Sequence, residues 1–273
     1  MIIQTSPQGT PRFAITMDEH TALAGHFARV FGNSDFEPVE PRDIMLDLVT
    51  HHDKGWADLD ARAMHDPRTG LPYNLADTPT PDIVPTSSAS PDFNERRHPY
   101  GGLLSSMHSW GLYNGRYGMS DMVLIDRVPP AERHIAERML EAELARQARL
   151  KDQLSADAQC AAWVEPAHLL QNYKQLQFFD TLALYFNRTH EEGRGAASFT
   201  RVPRSRDTDV TVQVRPLQAG VYAMKPYPFP GTECEFSFSG RYIRPRPGAA
   251  DPGWTNLLAA APLAWQQFRL VAD

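Results

Sequence analysis

The sequence predicts a mainly α fold, a helical bundle carrying a small antiparallel β element toward its C-terminal end. Three observations predict it. Apolar residues recur at three- and four-residue spacing in five segments before residue 190, the period of a half-buried helix. Alternation at period two begins only after Gly195, as in a strand with one buried face. Pro-rich turns bound those later stretches, as strand ends require. The expected division is a helical domain over residues 1–195 and a β element with C-terminal tail over 196–273, packed on the same domain.

The first helix is expected over 16–31, because Thr16 and Glu19 form a capping-box pattern ahead of Leu23, Phe27, Val30 and Phe31. One turn back from that stripe lies His20, which therefore points inward. Gly32 and Asn33 end this helix, and Pro41 opens the next at a position where a missing amide costs nothing. There Met45, Leu48, Val49 and His52 share a face, favouring His52 over His51 as the inward residue. Residues 57–99 carry Pro67, Pro72, Pro79, Pro81, Pro85 and Pro91 and are expected to form a Pro-rich lid loop. A helix over 100–113 follows, weakened by Gly101, Gly102 and Gly111, with Leu104, His108 and Leu112 on one side. A charged amphipathic helix is expected over 129–154. The next, over 166–187, aligns Tyr173, Leu176, Asp180 and Ala183. Strands are expected between 198 and 243, where Val210, Val212 and Val214, then Cys234, Phe236 and Phe238, alternate with polar neighbours.

Composition narrows the function. A net charge of −6 at pH 7 gives no basic footprint for nucleic acid. The longest apolar run, over 257–265, falls well short of a membrane span, and residues 1–13 lack a signal-like stretch. Two cysteines, Cys160 and Cys234, make no disulfide framework or zinc ribbon. A soluble cytoplasmic protein acting on a small, possibly phosphorylated molecule is the expectation. Phosphate-loop, dinucleotide, nucleophile-elbow and zinc-protease motifs are all missing.

What remains is His20, His52, Asp53, His108 and Asp180, on or beside apolar stripes of four expected helices. Burying two carboxylates among histidines is expensive without an ion. Imidazole and carboxylate donors suit one or two divalent ions, Mn, Fe, Mg or Zn. Adjacent helical residues diverge by about 100°, so His52 and Asp53 can share an ion only if it lies in the groove between them.

The order His20, then His52 with Asp53, then Asp180 resembles the HD-domain superfamily of metal-dependent phosphohydrolases, all-helical proteins. More narrowly, the segments around Asp18 to His20, His51 to Trp56, Ser105 to Tyr113, Asp180 to Leu184 and Pro226 to Phe229 resemble an uncharacterised bacterial HD-related family. The resemblance implies an HD-like bundle, with His20, His52, Asp53 and Asp180 as metal ligands and His108 as an additional one. It departs from the common pattern where Lys54 directly follows Asp53 and Trp56 stands third after it.

On this reading the protein is a metal-dependent hydrolase of phosphoesters or phosphodiesters. Asp53, Lys54 and His108 are its expected catalytic residues, and Arg96, Arg97, Trp56 and Tyr73 its substrate-binding ones. Two alternatives stand beside it, an HD-related di-iron oxygenase and a non-catalytic ligand-sensing module.

Overall fold

Thr16 starts the first long helix as its neighbours require. Its hydroxyl accepts from the Glu19 amide at 3.2 Å, and the Glu19 carboxylate accepts from the Thr16 amide at 2.8 Å. This reciprocal cap satisfies two amides the helix cannot. In this computed structural model, which describes residues 1–248 and 250–273, strands β1 (Ile2–Ile3) and β2 (Arg12–Ile15) precede α1 (Met17–Val30). Next come α2 (Arg42–His51), α3 (Ala57–Arg62), the small ladder of β3 (His65–Asp66) with β4 (Leu71–Pro72), and α4 (Thr80–Arg97). α5 (Pro99–Tyr113), the short α6 (Gly115–Gly118), α7 (Arg133–Ser155) and α8 (Pro166–Arg188) follow. The chain closes with β5 (Ala197–Ser205), β6 (Thr208–Gln218), β7 (Val221–Lys225), β8 (Glu233–Ile243), α9 (Trp254–Ala260) and β9 (Ala264–Ala272).

Seven strands form one curled, half-barrel sheet in the order β1-β2-β8-β9-β7-β6-β5. Neighbours are antiparallel except β7 and β9, which run parallel. The expected mainly α, HD-like bundle with a small β element is therefore corrected: half the chain is helical and a fifth is strand, in a sheet that both ends of the chain build. β1 and β2 were hidden because they are short, and β2 buries Phe13, Ala14 and Ile15 consecutively instead of alternating.

The sheet is a structural partner of the helices rather than an appendage. α1 and α8 pack on each other and on β8 and β5. Phe27 of α1 and Phe186 of α8 meet Phe236, Phe268 and Tyr222 of the sheet, with Phe186 stacked on Phe268 at 3.7 Å between centroids. Such a cluster buries large apolar area on both elements and fixes their mutual position. α1 and α8 carry His20 and Asp180, so the sheet sets the separation of those two residues.

Residues 57–99 are not the loop expected of them. They include α3 and the 18-residue α4, which runs through Pro85 and Pro91. Each proline removes one helical donor, yet burial of Val84, Thr86, Ser90 and Asn94 against neighbouring helices holds the segment helical. Pro81 lies in the first turn, where the loss is free. The glycines that weakened α5 have a packing reason at Gly102, where a Cβ would lie 2.6 Å from Glu95 Cβ on α4.

Candidate metal centre

α1 brings His20, the end of α2 brings His52, α5 brings His108 and α8 brings Asp180 into one buried cluster. His52 is the C-cap of α2, and Asp53 has already left the helix at φ −108°, ψ 23°. The angular divergence that helical geometry imposes on neighbours is thereby lifted. Asp53 Oδ2 lies 3.6 Å from His52 Nε2.

Two sets of three potential ligands share His52: His20, His52 and Asp180, and His52, Asp53 and His108, each with donor atoms within 4.8 Å of one another. Asp180 Oδ1 is 3.2 Å from His20 Nε2 and 3.9 Å from His52 Nε2. His108 Nε2 is 4.0 Å from Asp53 Oδ1. These separations match neighbouring ligands on an ion bound at about 2.0–2.2 Å.

The far side of each ring decides what the near side offers. His52 Nδ1 donates to the Val49 carbonyl at 2.8 Å, so Nε2 is the nitrogen that faces the cluster, buried and without a hydrogen-bond partner. His20 Nδ1 donates to Asn187 Oδ1 at 2.9 Å, and its Nε2 faces Asp180 Oδ1 at 3.2 Å. Two imidazole nitrogens and a carboxylate oxygen thus converge at one buried point, where a positive charge is needed: in the metal-free cluster the proton on His52 supplies it, and a bound cation would take its place. His108 differs. Its Nδ1 receives the Gln177 side-chain amide at 2.8 Å, so the neutral ring carries its proton on Nε2, toward Asp53.

Electrostatics separates the same residues. Burial opposes a charge on His52, but Asp53 and Asp180 outweigh it and raise its pKa to about 9 in the metal-free cluster. Burial prevails at His108 and lowers its pKa to about 4. Asp180, although buried, is held well below the usual carboxylate range by His20, His52, His108 and Arg116. The Arg116 guanidinium reaches Asp180 Oδ2 at 3.4 Å.

The other expected site residues lie elsewhere. Lys54 pairs with Asp18 at 2.6 Å. Arg97 forks onto Asp47, with Nη2 2.6 Å from Oδ1, and Arg96 lines a surface cavity beside it. Trp56 is buried in the main core, and Tyr73 lines a small recess with Leu59 and Asp60. His51 donates to the Asp47 carbonyl and His98 caps α5, both apart from the cluster. Three residues of the site escaped the sequence reading: Asn187, Gln177 and Arg116. Gln177 and Asn187 are three and seven residues from Asp180 on α8, hence on its face, which is the signal that could have found them.

A family model for proteins of unknown function, DUF3891, matches residues 1–245. The chain belongs to that family. No curated protein and no solved structure matches it. The resemblance to the HD superfamily is overturned, because the matching family is one of unknown function and the seven-stranded sheet of this chain is not part of an all-helical HD bundle. Among the described residues no helix is long and apolar enough to cross a membrane.

Proposed function

We propose that this DUF3891 protein is a metal-dependent hydrolase of phosphoesters or phosphodiesters. One observation carries the reading: the buried convergence of His20 Nε2, His52 Nε2 and Asp180 Oδ1, with the Arg116 guanidinium alongside. Two imidazoles and a carboxylate favour Zn, Mn or Fe over Mg, which prefers an all-oxygen shell. When bound, such an ion lowers the pKa of water and polarises a phosphoryl oxygen.

The chain's own residues supply the rest. The water oxygen forms a bond to phosphorus as the ester P–O bond breaks. Asp53 takes the water proton and returns it to the departing alkoxide, giving an alcohol and a phosphate. His108 is neutral at pH 7, so it acts through its Nε2–H as a hydrogen-bond donor to the developing charge rather than as an imidazolium acid. Arg116 offers its remaining N–H groups to the phosphoryl oxygens. Lys54, committed to Asp18, has no part in this scheme.

Elemental mass spectrometry of protein purified without chelator, beside a panel of phosphomonoesters and phosphodiesters, tests the reading. Stoichiometric metal should vanish in His20→Ala, His52→Ala and Asp180→Ala but survive in His108→Ala, which should lose turnover only. Hydrolysis persisting in the metal-free variants would refute it. Metal retained with no turnover of any ester would leave a ligand-sensing module.

A further inference from the structure

A cavity of about 260 Å³ lies between α8, the turn of α6 and β5. Arg116, Lys174 and Arg201 line it together with Ser120, Ser198 and Thr200, and no carboxylate does. In a chain of net charge −6 that concentration of cations is unusual. Two residues tie the cavity to the histidine cluster: Gln177, which holds His108, and Arg116, which holds Asp180, both stand in its wall.

The backbone is strained to build this wall. Four non-glycine residues have positive φ among those described, Ala63, Arg116, Tyr117 and Arg201, and two of the four are arginines of this cavity, at φ +51° and +57°. A side chain in that region is strained, and such strain persists where the surroundings impose it, often at ligand sites. In β5 the register to β6 jumps between Phe199 and Val202, leaving Thr200 and Arg201 as a bulge, a device that re-aims side chains. Arg201 makes no salt bridge among the described residues. Ser120 Oγ accepts from the Met122 amide at 3.1 Å and so keeps its hydrogen to donate. Lys174 is paired with Asp209 at 2.6 Å, from outside the cavity wall.

We propose that this cavity is an oxyanion pocket that binds a phosphoryl group of the substrate beside the metal centre. The inference deepens the hydrolase reading and rests on it for the word substrate. Two guanidinium forks and an ammonium, with hydroxyls from opposite walls, outnumber the acceptors of a planar carboxylate and suit a tetrahedral anion. Phe178 and Phe199, whose rings meet edge to face at 5.8 Å, add an apolar surface for the organic part of such a ligand.

Isothermal titration calorimetry with inorganic phosphate tests the pocket, run on wild type, Arg201→Ala, Lys174→Ala and the metal-site variant His20→Ala. Phosphate should bind wild type saturably and His20→Ala within threefold of it, whereas Arg201→Ala should weaken binding at least tenfold with metal content and melting temperature unchanged. Arg201 is exposed, so its loss does not threaten folding. Equal phosphate affinity in wild type, Arg201→Ala and Lys174→Ala would overturn the proposal, as would acetate binding as tightly as phosphate. If wild type holds no metal but Arg201-dependent phosphate binding persists, the metal reading fails and the pocket stands.

Discussion

The group hydrogen-bonded to the outer nitrogen of each histidine determines its chemistry. Asn187 Oδ1 and the Val49 carbonyl can only accept, so His20 and His52 turn Nε2 to the cluster, where a metal ion can replace a proton, whereas the Gln177 amide donates and leaves His108 a proton on Nε2. Removing such an orienting partner from a metal-bound histidine typically costs 10–100-fold in affinity. Asn187→Leu should therefore weaken metal binding by about that factor, read by competition with a chromogenic chelator, while the fold persists. Unchanged affinity would mean that His20 does not bind through Nε2. The five clustered residues were legible because each falls on or beside an apolar helical stripe. Asn187 and Gln177 were not, since a buried amide on a helix looks like any other polar residue until its partner is known. Arg116 was hidden for another reason: Asn114, Gly115 and Gly118 announce a turn, but not the left-handed conformation that aims its guanidinium at Asp180.

Between elements, the decisive contact is where the chain leaves α2 and meets α4. The Gly55 amide donates to Ser90 Oγ at 2.9 Å, and a Cβ on Gly55 would lie 2.4 Å from the Thr86 carbonyl oxygen and 2.5 Å from the Ser90 amide. Only glycine fits, and Asp53 is two residues away. Gly55→Ala should destabilise the protein by about 1–3 kcal/mol, the usual range for overpacking. It should also reduce turnover more than the stability loss explains, because the loop carrying Asp53 must move. Denaturant melts and a kcat measurement check both, and a variant with wild-type stability would show that α4 yields there. This contact also explains why the lid expectation failed, since prolines forecast a loop only when nothing buries the helix around them. β9 failed to show for a comparable reason: its inward Gln266 is polar, paired with Gln4 at 2.9 Å, and its outward Trp265 is apolar, so the alternation is inverted at its start.

At the scale of the whole molecule, the buried cluster makes stability a function of pH and metal together. In the metal-free protein His52 titrates near 9 instead of 6.5, so its protonated form stabilises the fold fully below pH 6.5, and that contribution is lost as pH rises toward 9. His108 titrates near 4, so stability falls as pH drops from 6.5 toward 4, where the unfolded chain takes up a proton that the folded one refuses. Asp180, held charged when folded, adds to the loss in acid. Each histidine shift corresponds to about 3 kcal/mol at about 1.4 kcal/mol per pKa unit, enough to move the melting temperature of a domain this large by several degrees. The metal-free protein should thus melt highest near pH 6.5 and lower on both sides. A bound ion takes the place of the His52 proton, so metal loading should flatten the alkaline limb and leave the acid limb in place. His52→Ala without metal should flatten it too. Thermal melts from pH 4.5 to 9 decide this, and an alkaline limb equally steep with and without metal would separate His52 from the ion.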